Sequence, residues 1–570
     1  MNRTSEDGID GNNPSTIENE ALSPASCSRR AFLAGIGGMA ALAVDAGTGG
    51  SLLAGSPKGA EALAAEQGSG DARRRRNDAF RIRQQAALTQ RKLPLPLHPD
   101  NGEESDYPYL ANFSKGLPHN DLGEVTPSAY QAMLAALSVG SHAAFETIPQ
   151  GGDRPLRNPQ AGIAFDLQGP DSHHLAIRPA PRIDGPENSA EMSELYWMAL
   201  ARDVHFADYG SDGLIADGCA DLSGFSDFRG PKQAGLVTPA AIFRGNTPGD
   251  LAGPYLSQFL LKDIPYGTLT INQRQQTVLP GLDYMTDPAS WLAIQNGDNP
   301  VLADALDGTP RYIRNGRDLA AYVHYDALYE AYLNACLILL GMGAAVDPGN
   351  PYHGLSRTDA FATFGGPHIL SLVTEVATRA LKAVWYQKWY VHRRLRPESF
   401  GGRIHHHMTG AAVYPIDAEI LSSQAVSEAF DLYGTYFLPQ AYPEGSPLHP
   451  AYGAGHATVA GACVTILKAW FDESFVLPDP VVPNAAGTAL VAYTGPDAGA
   501  LTVGGELDKV AANIAFGRNF AGIHWRTDYS ESLALGEAVA IGVLRDQKAT
   551  YEEDFAGFSL TRFDGTVIII

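Results

Sequence analysis

The amino-acid sequence predicts a mainly α-helical protein, built as a helical bundle with a few short strands and long loops. Apolar residues recur at helical spacing, with glycine or proline near the ends, over residues 318–342, 367–395, 417–437, 456–471 and 506–548. Strand-like alternation is confined to short stretches such as "AGIAFDLQG" and "TLTINQRQQTVLP". The chain has 570 residues, of which 45% are hydrophobic, so it can bury a large core.

The first residues have the pattern of a targeting signal. Arg29 and Arg30 precede a glycine- and alanine-rich apolar run that ends near Val44 and is too short to span a bilayer. The paired arginines resemble a twin-arginine signal, the alternative being an arginine-containing N-terminal arm. We therefore expect a signal peptide and disordered N-terminus over residues 1–65, cleaved between residues 54 and 65. Export would then be to the periplasm or the cell exterior, with no membrane span in the mature form.

The remaining chain is expected to form one large helical domain, with an N-terminal part over residues 66–315 and a second bundle over 316–570. In "NSAEMSELYWMALARDVHF", Ser189 is a candidate N-cap for a helix with apolar residues at helical spacing. The basic run Arg73–Arg76 is interpreted as a solvated arm, with a partner-binding patch as the alternative. The sequence contains no internal repeat.

Charge and cysteine content narrow the classes of partner. The net charge of −22 argues against nucleic acid or an anionic membrane surface as a partner. An anion site in such a chain must gather its own cations, so clusters of lysine and arginine are informative. Cys219, Cys336 and Cys463 form no Cys-x-x-Cys pair, which argues against a disulfide framework or a thiolate metal site.

The first candidate cluster is "WYQKWYVHRRLRPES", which places Lys388 and Arg396 eight residues apart near the end of a predicted helix. On a continuous helix their directions differ by about 80°. Pro397 disfavours helical geometry at Arg396, so we expect that guanidinium to project from a frayed helix end. A lysine point charge beside a planar arginine fork suits an oxyanion clamp, although basic residues there also complement the helix dipole.

The second cluster is "HPAYGAGHA", which begins at His449 and leads into a predicted helix. Gly453, Ala454 and Gly455 are small, so main-chain N–H groups at the helix start can approach an anion closely. His456 would occupy the first turn of that helix. It is either a cap or a catalytic group.

The third cluster, "FGRNFAGIHWRTDYS", contributes Arg518, His524 and Asp528. His524 and Asp528 are four residues apart, so on a helix they would share a face and the carboxylate would orient the imidazole. Together the three clusters supply three cations, two histidines and a glycine turn. Their conjunction predicts one oxyanion pocket.

The motifs resemble the signature of the acid phosphatase and vanadium haloperoxidase superfamily: Lys-x6–7-Arg-Pro, then Pro-Ser-Gly-His, then Ser-Arg-x5-His-x3-Asp. The matching residues are Lys388, Arg396 and Pro397, then Gly453 to His456, then Gly517, Arg518, His524 and Asp528. The seven-residue gap before Arg396 is similar to the algal and cyanobacterial bromoperoxidase branch, as are "NFSKGLPHNDLGEV", "ELYWMALARDV" and "EGSPLHPAY". The resemblance extends from about residue 75 to the C-terminus.

This resemblance implies paired four-helix bundles and one vanadate per subunit. Lys388, Arg396, Arg518 and the Gly455 N–H would hold vanadate oxygens. His524 would be the covalent ligand, and His456 the general acid–base when hydrogen peroxide binds. Trp385, His449, Ala454 and Asp528 would surround these groups. The implied reaction oxidises a halide with hydrogen peroxide to a hypohalous equivalent, which halogenates a small organic acceptor.

Three positions qualify the resemblance. His449 stands where fungal chloroperoxidases have phenylalanine, which implies bromide and iodide as substrates; the alternative is a histidine that caps the turn before Pro450. Ala454 replaces a serine whose hydroxyl donates to vanadate, a loss of about 0.5–1.5 kcal/mol that implies a weaker oxidant. Gly517 replaces the serine before Arg518, which we interpret as a structural change only.

The resemblance also implies a homo-oligomer and, in some members, a divalent cation for which the sequence indicates no site. Two other functions stay open at this point. An exported acid phosphatase would use the same residues, with a phosphohistidine at His524 and protonation of the leaving group by His456. A non-catalytic oligomeric protein that binds an oxyanion is the second alternative.

Overall fold

A computed structural model describes residues 58–570, with side chains from residue 71 onward. The chain divides into two compact units, residues 1–75 and 76–570. The paired arginines and apolar run of the expected signal lie outside the described residues. A helix begins at Lys58, inside the segment expected to be disordered, and its Arg73–Arg76 run is exposed. The expected boundaries at residues 65 and 315 stay predictions.

The described residues are predominantly helical, which confirms the predicted fold class. The α-helices are α1 (Lys58–Lys92), α2 (Glu103–Asp106), α3 (Pro127–Val139), α4 (His142–Phe145), α5 (Pro186–Leu200), α6 (Gly213–Gly224), α7 (Pro288–Asn296), α8 (Gly316–Tyr325), α9 (Glu330–Gly341), α10 (Gly366–Tyr386), α11 (Pro397–Met408), α12 (Ala418–Leu421), α13 (Gln424–Tyr433), α14 (Gly455–Lys468), α15 (Val503–Phe520) and α16 (Arg526–Lys548). A π-helical turn (Gln387–His392) follows α10 directly. Short 3₁₀ turns lie at Pro159–Ile163, Ser172–His174, Phe206–Asp208, Gln258–Leu260 and Ala498–Ala500.

The strands form three separate two-stranded antiparallel hairpins in the described residues. They pair β1 (Ile264–Tyr266) with β2 (Leu269–Ile271), β3 (Val481–Pro483) with β4 (Leu490–Ala492), and β5 (Ser559–Thr561) with β6 (Val567–Ile569). Each strand has only three residues, so the hairpins are small additions to the helical core and do not form a separate β-layer.

The core is organised around α14, which packs against α10, α15 and α16. All its residues except His456 are buried. Glycine lets α14 and α16 touch along their backbones: a Cβ at Gly461 would lie 2.3 Å from the Leu533 carbonyl oxygen, and one at Gly536 would lie 2.0 Å from that of Thr458. This close packing fixes the start of α14, where the small residues of "GAGH" lie.

Several predicted helices are interrupted in the structure. The segment 318–342 divides into α8 and α9, 417–437 divides into α12 and α13, and 506–548 divides into α15 and α16. The last interruption contains Gly522 at φ 82°, where a Cβ would lie 2.6 Å from the Gln440 side chain. Such backbone favours glycine and ends the helix. The interruption between α15 and α16 matters because it carries a candidate site residue, His524.

The structure also bears on the state of the cysteines and on the expectation of no membrane span. Cys219, Cys336 and Cys463 are buried free thiols. Among the described residues, no helix combines the length and the apolar character that crossing a bilayer requires.

Candidate active site

A cavity of about 520 Å³ opens at the N-terminus of α14. Six residues singled out from the sequence line it: Trp385, His449, Gly455, His456, Arg518 and His524. The other four, Lys388, Arg396, Ala454 and Asp528, each adjoin one of these six. The structure therefore brings together all ten residues, although they come from segments far apart in the chain.

The sequence predicted that Arg396 projects from a frayed helix end, and this prediction is wrong. Helical geometry ends at His392 because Arg393 adopts left-handed backbone at φ 42°, and Arg396 is the N-cap of α11, whose first residue is Pro397. The Arg396 side chain is completely buried and donates to the carbonyl oxygens of His449 (2.9 Å) and Ile523 (2.8 Å). It also contacts His524 Nε2 at 3.1 Å.

Lys388 lies in the π-helical turn, a type of irregularity that occurs frequently at functional sites. Its Nζ donates to the carbonyl oxygens of Pro450 (2.8 Å) and Ala451 (2.9 Å) and lies 5.7 Å from the centre of the Trp385 ring. Burial and the neighbouring charge of Arg396 lower the pKa of Lys388 well below its usual range. A nearby anion would relieve this unfavourable charging.

His524 is in the loop between α15 and α16, so the predicted shared helix face with Asp528 is wrong. The predicted contact nevertheless exists: His524 Nδ1 lies 2.6 Å from Asp528 Oδ2. Asp528 is the third residue of α16, and the same oxygen accepts the Trp525 N–H at 3.1 Å. The N-terminal turn of α16 thus holds the carboxylate that orients the imidazole.

The network around His524 assigns its tautomer. Arg396 can only donate, so His524 Nε2 accepts from it and the ring proton resides on Nδ1, facing Asp528. Burial and the charges of Arg396 and Lys388 lower the pKa of His524 well below its usual range. The imidazole is neutral, and its Nε2 lone pair is suited to bind a metal centre.

His456 has a partner that the sequence reasoning missed. Its Nε2 lies 3.1 Å from Oδ1 of Asp326, the residue at which α8 ends. Burial lowers the pKa of His456, partly opposed by the Asp326 charge. Burial alone would raise the pKa of Asp326, but the charge and hydrogen bond of His456 lower it overall. The two form a polarised pair at the cavity wall.

Arg518 closes another side of the cavity. One terminal nitrogen donates to the Val323 carbonyl oxygen at 2.6 Å, and the guanidinium lies 5.4 Å from the centre of the Tyr442 ring. Its Nε is buried without a hydrogen-bond partner among the described residues. A buried donor of this kind is costly unless a ligand completes it.

Small residues and aromatic rings complete the cavity. Gly455 is the first residue of α14, and a Cβ there would lie 3.3 Å from the Trp385 ring. The N–H of Ala454 already donates to Ser532 Oγ at 2.8 Å. The His449 ring lies 4.8 Å from the Trp385 ring, and burial together with the charges of Lys388 and Arg396 lowers its pKa well below the usual range.

Arg394 is a second residue that the sequence reasoning missed. Its guanidinium contacts Asp528 Oδ1 (3.3 Å), Thr527 Oγ1 (2.7 Å) and Glu191 Oε2 (2.9 Å). Although it is in the quoted "RRLRPES", nothing in the spacing distinguishes it from its neighbours. It compensates the negative charge behind His524, so the carboxylate stays in place to orient the ring.

The electrostatics of the site fit a small oxyanion. Lys388, Arg396 and Arg518 form no ion pair with a carboxylate among the described residues. Of the three, Arg518 lines the cavity, whereas Lys388 and Arg396 contact Trp385 and His524 in its wall. The first N–H groups of α14 have no intrahelical acceptor and add positive potential. An oxo-anion of a metal suits this set, because its oxygens could accept from Arg396 while His524 Nε2, which now accepts from that guanidinium, bound the metal.

The second half of the chain matches a family model. Residues 368–553 match the model described as the VCPO second helical-bundle domain. This range contains every candidate site residue from Trp385 to Asp528.

Known proteins resemble most of the chain. The vanadium-dependent bromoperoxidase of Corallina officinalis is 39% identical, covering 83% of this chain and 92% of that protein. The one from Corallina pilulifera is 40% identical with the same coverage. The structure of the second vanadate-dependent bromoperoxidase (AnII) from Ascophyllum nodosum, described as homohexameric, superposes with a TM-score of 0.83 at 32% identity, covering 86% of this chain and 90% of that one.

Proposed function

Because this chain belongs to the vanadium-dependent bromoperoxidase family, we propose that it uses vanadate and hydrogen peroxide to oxidise bromide or iodide to a hypohalous equivalent. That product would halogenate a small organic acceptor. One observation supports the proposal above all. Neutral His524 and buried Arg518 line one cavity, and Lys388 and Arg396 contact residues of its wall. None of these three cations pairs with a carboxylate in the part of the chain that the structure describes.

The chain's own residues would hold one vanadate per subunit. His524 Nε2 would be the covalent ligand, and Lys388, Arg396 and Arg518, together with the Gly455 N–H, would bind its oxygens. When bound, vanadate supplies Lewis-acid chemistry that makes a peroxide oxygen reactive toward halide. The cations withdraw negative charge from the bound group because no carboxylate competes for them.

His456, oriented by Asp326, would transfer protons to and from hydrogen peroxide. With its lowered pKa, His456 is neutral near neutral pH, and it would accept a proton from hydrogen peroxide at Nδ1, since Asp326 contacts Nε2. Asp326, 3.1 Å from Nε2, orients the ring and stabilises the imidazolium that results. The pair is one acid–base unit, with Asp326 the positioning residue.

His449 supports a preference for the larger halides. Its Nδ1 lies 2.9 Å from a terminal nitrogen of Arg396 and 3.1 Å from the Pro450 carbonyl oxygen. A buried imidazole makes the cavity wall more polar than a phenylalanine would. We propose that bromide and iodide are oxidised more readily than chloride.

Assembly and location are further parts of the proposal. The homohexameric structure of the Ascophyllum nodosum protein supports a homo-oligomer for this chain. Arg29, Arg30 and the apolar run that follows support export through a twin-arginine-type signal to the periplasm or the exterior.

The test is a comparison of two activities in the same purified protein. With orthovanadate and hydrogen peroxide, bromide-dependent halogenation of a phenol-type acceptor is expected, and a phosphomonoester is expected to stay intact. Phosphomonoester turnover that added vanadate abolishes, without halogenation under any condition, would identify a phosphatase instead. Binding of orthovanadate without either activity would identify a non-catalytic binding protein.

A further inference from the structure

We propose that Asp171, His173 and His174 form a binding site for a divalent transition-metal ion of the Zn²⁺ class, separate from the active-site cavity. One ligand atom from each residue lies within 4.8 Å of the other two, and all three residues are half-buried. Two imidazoles and a carboxylate that converge in this way offer three protein ligands to one ion. The His173 and His174 rings lie 4.1 Å apart between centres, close enough to share one ion.

The ligands are held in place and are available. Asp171 Oδ1 accepts the Asp166 N–H at 2.8 Å, which fixes the carboxylate. The main chain of His173 is anchored because His98 Nε2 donates to its carbonyl oxygen at 3.0 Å. His174 Nδ1 is buried without a hydrogen-bond partner among the described residues. A buried imidazole nitrogen in that condition is costly, and a metal bond would satisfy it.

There is room for the remaining ligands. A separate cavity of about 180 Å³ is lined by residues that include Asp171, His173 and Tyr386. Tyr386 and Trp385 are neighbours in α10, yet Trp385 lines the active-site cavity and Tyr386 lines this one. Water can therefore occupy the open coordination positions of the ion.

The ligand set selects the kind of metal. Imidazole suits Zn²⁺, Cu²⁺ and Ni²⁺, whereas Ca²⁺ and Mg²⁺ prefer sets composed of oxygen. Two of the three ligands here are imidazoles. We expect Zn²⁺ to bind and Ca²⁺ to compete poorly.

The metal site would restrain the segment 166–175, which packs beside the end of α10. Two hydrogen bonds already join this segment to the region before Lys388. Lys382 Nζ donates to Asp166 Oδ1 at 2.8 Å, and the Gln387 side-chain amide donates to the Leu175 carbonyl oxygen at 2.8 Å. An ion held between these two attachments would restrict the segment further. Because the ion binds the folded chain, it would raise the thermal unfolding midpoint.

The experiment uses the full chain, treated with chelator, saturated with orthovanadate and titrated with ZnCl₂. Bound zinc is measured by mass spectrometry after desalting, and the thermal midpoint is measured in parallel. Wild-type protein is expected to retain one more zinc per chain than the His173→Ala/His174→Ala double variant, with a midpoint that rises only in the wild type. Asp171→Asn is expected to weaken zinc binding by about tenfold or more.

His142→Ala is the matched control, because it removes an exposed histidine outside the cluster; it should bind zinc like the wild type. Equal zinc retention by the wild type and the double variant would overturn the proposal, as would a midpoint that Ca²⁺ raises as much as Zn²⁺. The comparison is repeated without orthovanadate and must give the same difference. Its outcome is thus independent of the proposed function.

Discussion

Two buried arginines that are two residues apart in the sequence differ in whether a carboxylate compensates their charge. Arg394 and Arg396 are 4% and 0% exposed. Arg394 pairs with Glu191 and Asp528, and despite burial these partners raise its pKa. Arg396 has no carboxylate partner among the described residues, and burial lowers its pKa to about 9.

Two buried lysines near opposite ends of α14 show the same contrast. Lys468, at the end of α14, is buried and bonds Asp508 at 2.9 Å. Lys388, near the start of α14, is equally buried, but among the described residues its hydrogen bonds go only to the carbonyl oxygens of Pro450 and Ala451. Carbonyl oxygens hold the ammonium group in position without neutralising its charge. Lys468 thus has a carboxyl partner inside the protein, whereas the charge of Lys388 is left for a bound anion to compensate.

The largest effect should follow removal of the metal-binding nitrogen. His524→Ala is expected to lower vanadate affinity more than about 100-fold, because even loss of a supporting residue around a metal costs up to that factor. Bromide oxidation should fall to the background of the assay. Equilibrium dialysis of orthovanadate provides the measurement, with His353→Ala, an exposed histidine, as control. Wild-type affinity in His524→Ala would refute the ligand assignment.

The same substitution at Lys388 and at Lys468 should have opposite effects on vanadate affinity and on the free energy of unfolding. Lys388→Met should lower vanadate affinity by about 10- to 100-fold, the effect of about 1.5–3 kcal/mol for a charged hydrogen bond. Its free energy of unfolding without vanadate should stay the same or rise, because an unpaired buried cation has been removed.

Lys468→Met should show the reverse. It removes the hydrogen-bond partner of Asp508, whose pKa burial raises to about 8, and should lower the free energy of unfolding by about 1–3 kcal/mol, the cost of an unsatisfied buried polar group. The vanadate affinity of the folded protein should be retained. Urea unfolding and orthovanadate dialysis on both variants are the measurements. If Lys388→Met destabilises the vanadate-free protein as much as Lys468→Met does, the contrast between the two lysines fails.

A smaller, directional effect is expected from Asp326→Asn. The Asp326 charge raises the pKa of His456 against the effect of burial. Removing it should lower that pKa further, so the limb of the pH profile of kcat/KM that reports His456 should move to lower pH. Asp359→Asn, an exposed carboxylate, should leave the profile unchanged. A limb that moves to higher pH would contradict the pairing.

The smallest effect should come from Ala454→Ser. Ala454 is buried at the N-cap of α14, next to the cavity. A hydroxyl there would add one donor and strengthen vanadate binding by about 0.5–1.5 kcal/mol, or up to about tenfold. Orthovanadate dialysis and the rate of bromide oxidation should both increase. Weaker binding would indicate that the hydroxyl clashes or turns away from the site.

The sequence predicted the helices of the second half because their apolar spacing is a local property. It missed the interruptions that carry the chemistry, because these depend on distant contacts. Gly522 meets Gln440 in another segment, and Asp326 faces His456, which is 130 residues away. Interrupting the helix at residues 521–525 put His524 in a loop, and only tertiary packing decides that.

Site residues were predictable to the extent that their motifs are distinctive. Lys388, Arg396 and Arg518 were named from spacing and resemblance, and the structure gathers them around one cavity. Arg394 was not distinguished from Arg396, since two buried arginines look alike in a sequence. The direction that each side chain takes is set by the left-handed residue Arg393 and by the start of α11 at Pro397.

The most direct test is equilibrium dialysis of orthovanadate against the vanadate-free wild-type chain, in rising concentrations of inorganic phosphate. If the unpaired buried cations form one oxyanion site, one vanadate should bind per chain, and phosphate should displace it competitively. Binding of several vanadates with weak affinity, or of none, or binding that phosphate leaves unchanged, would contradict the account.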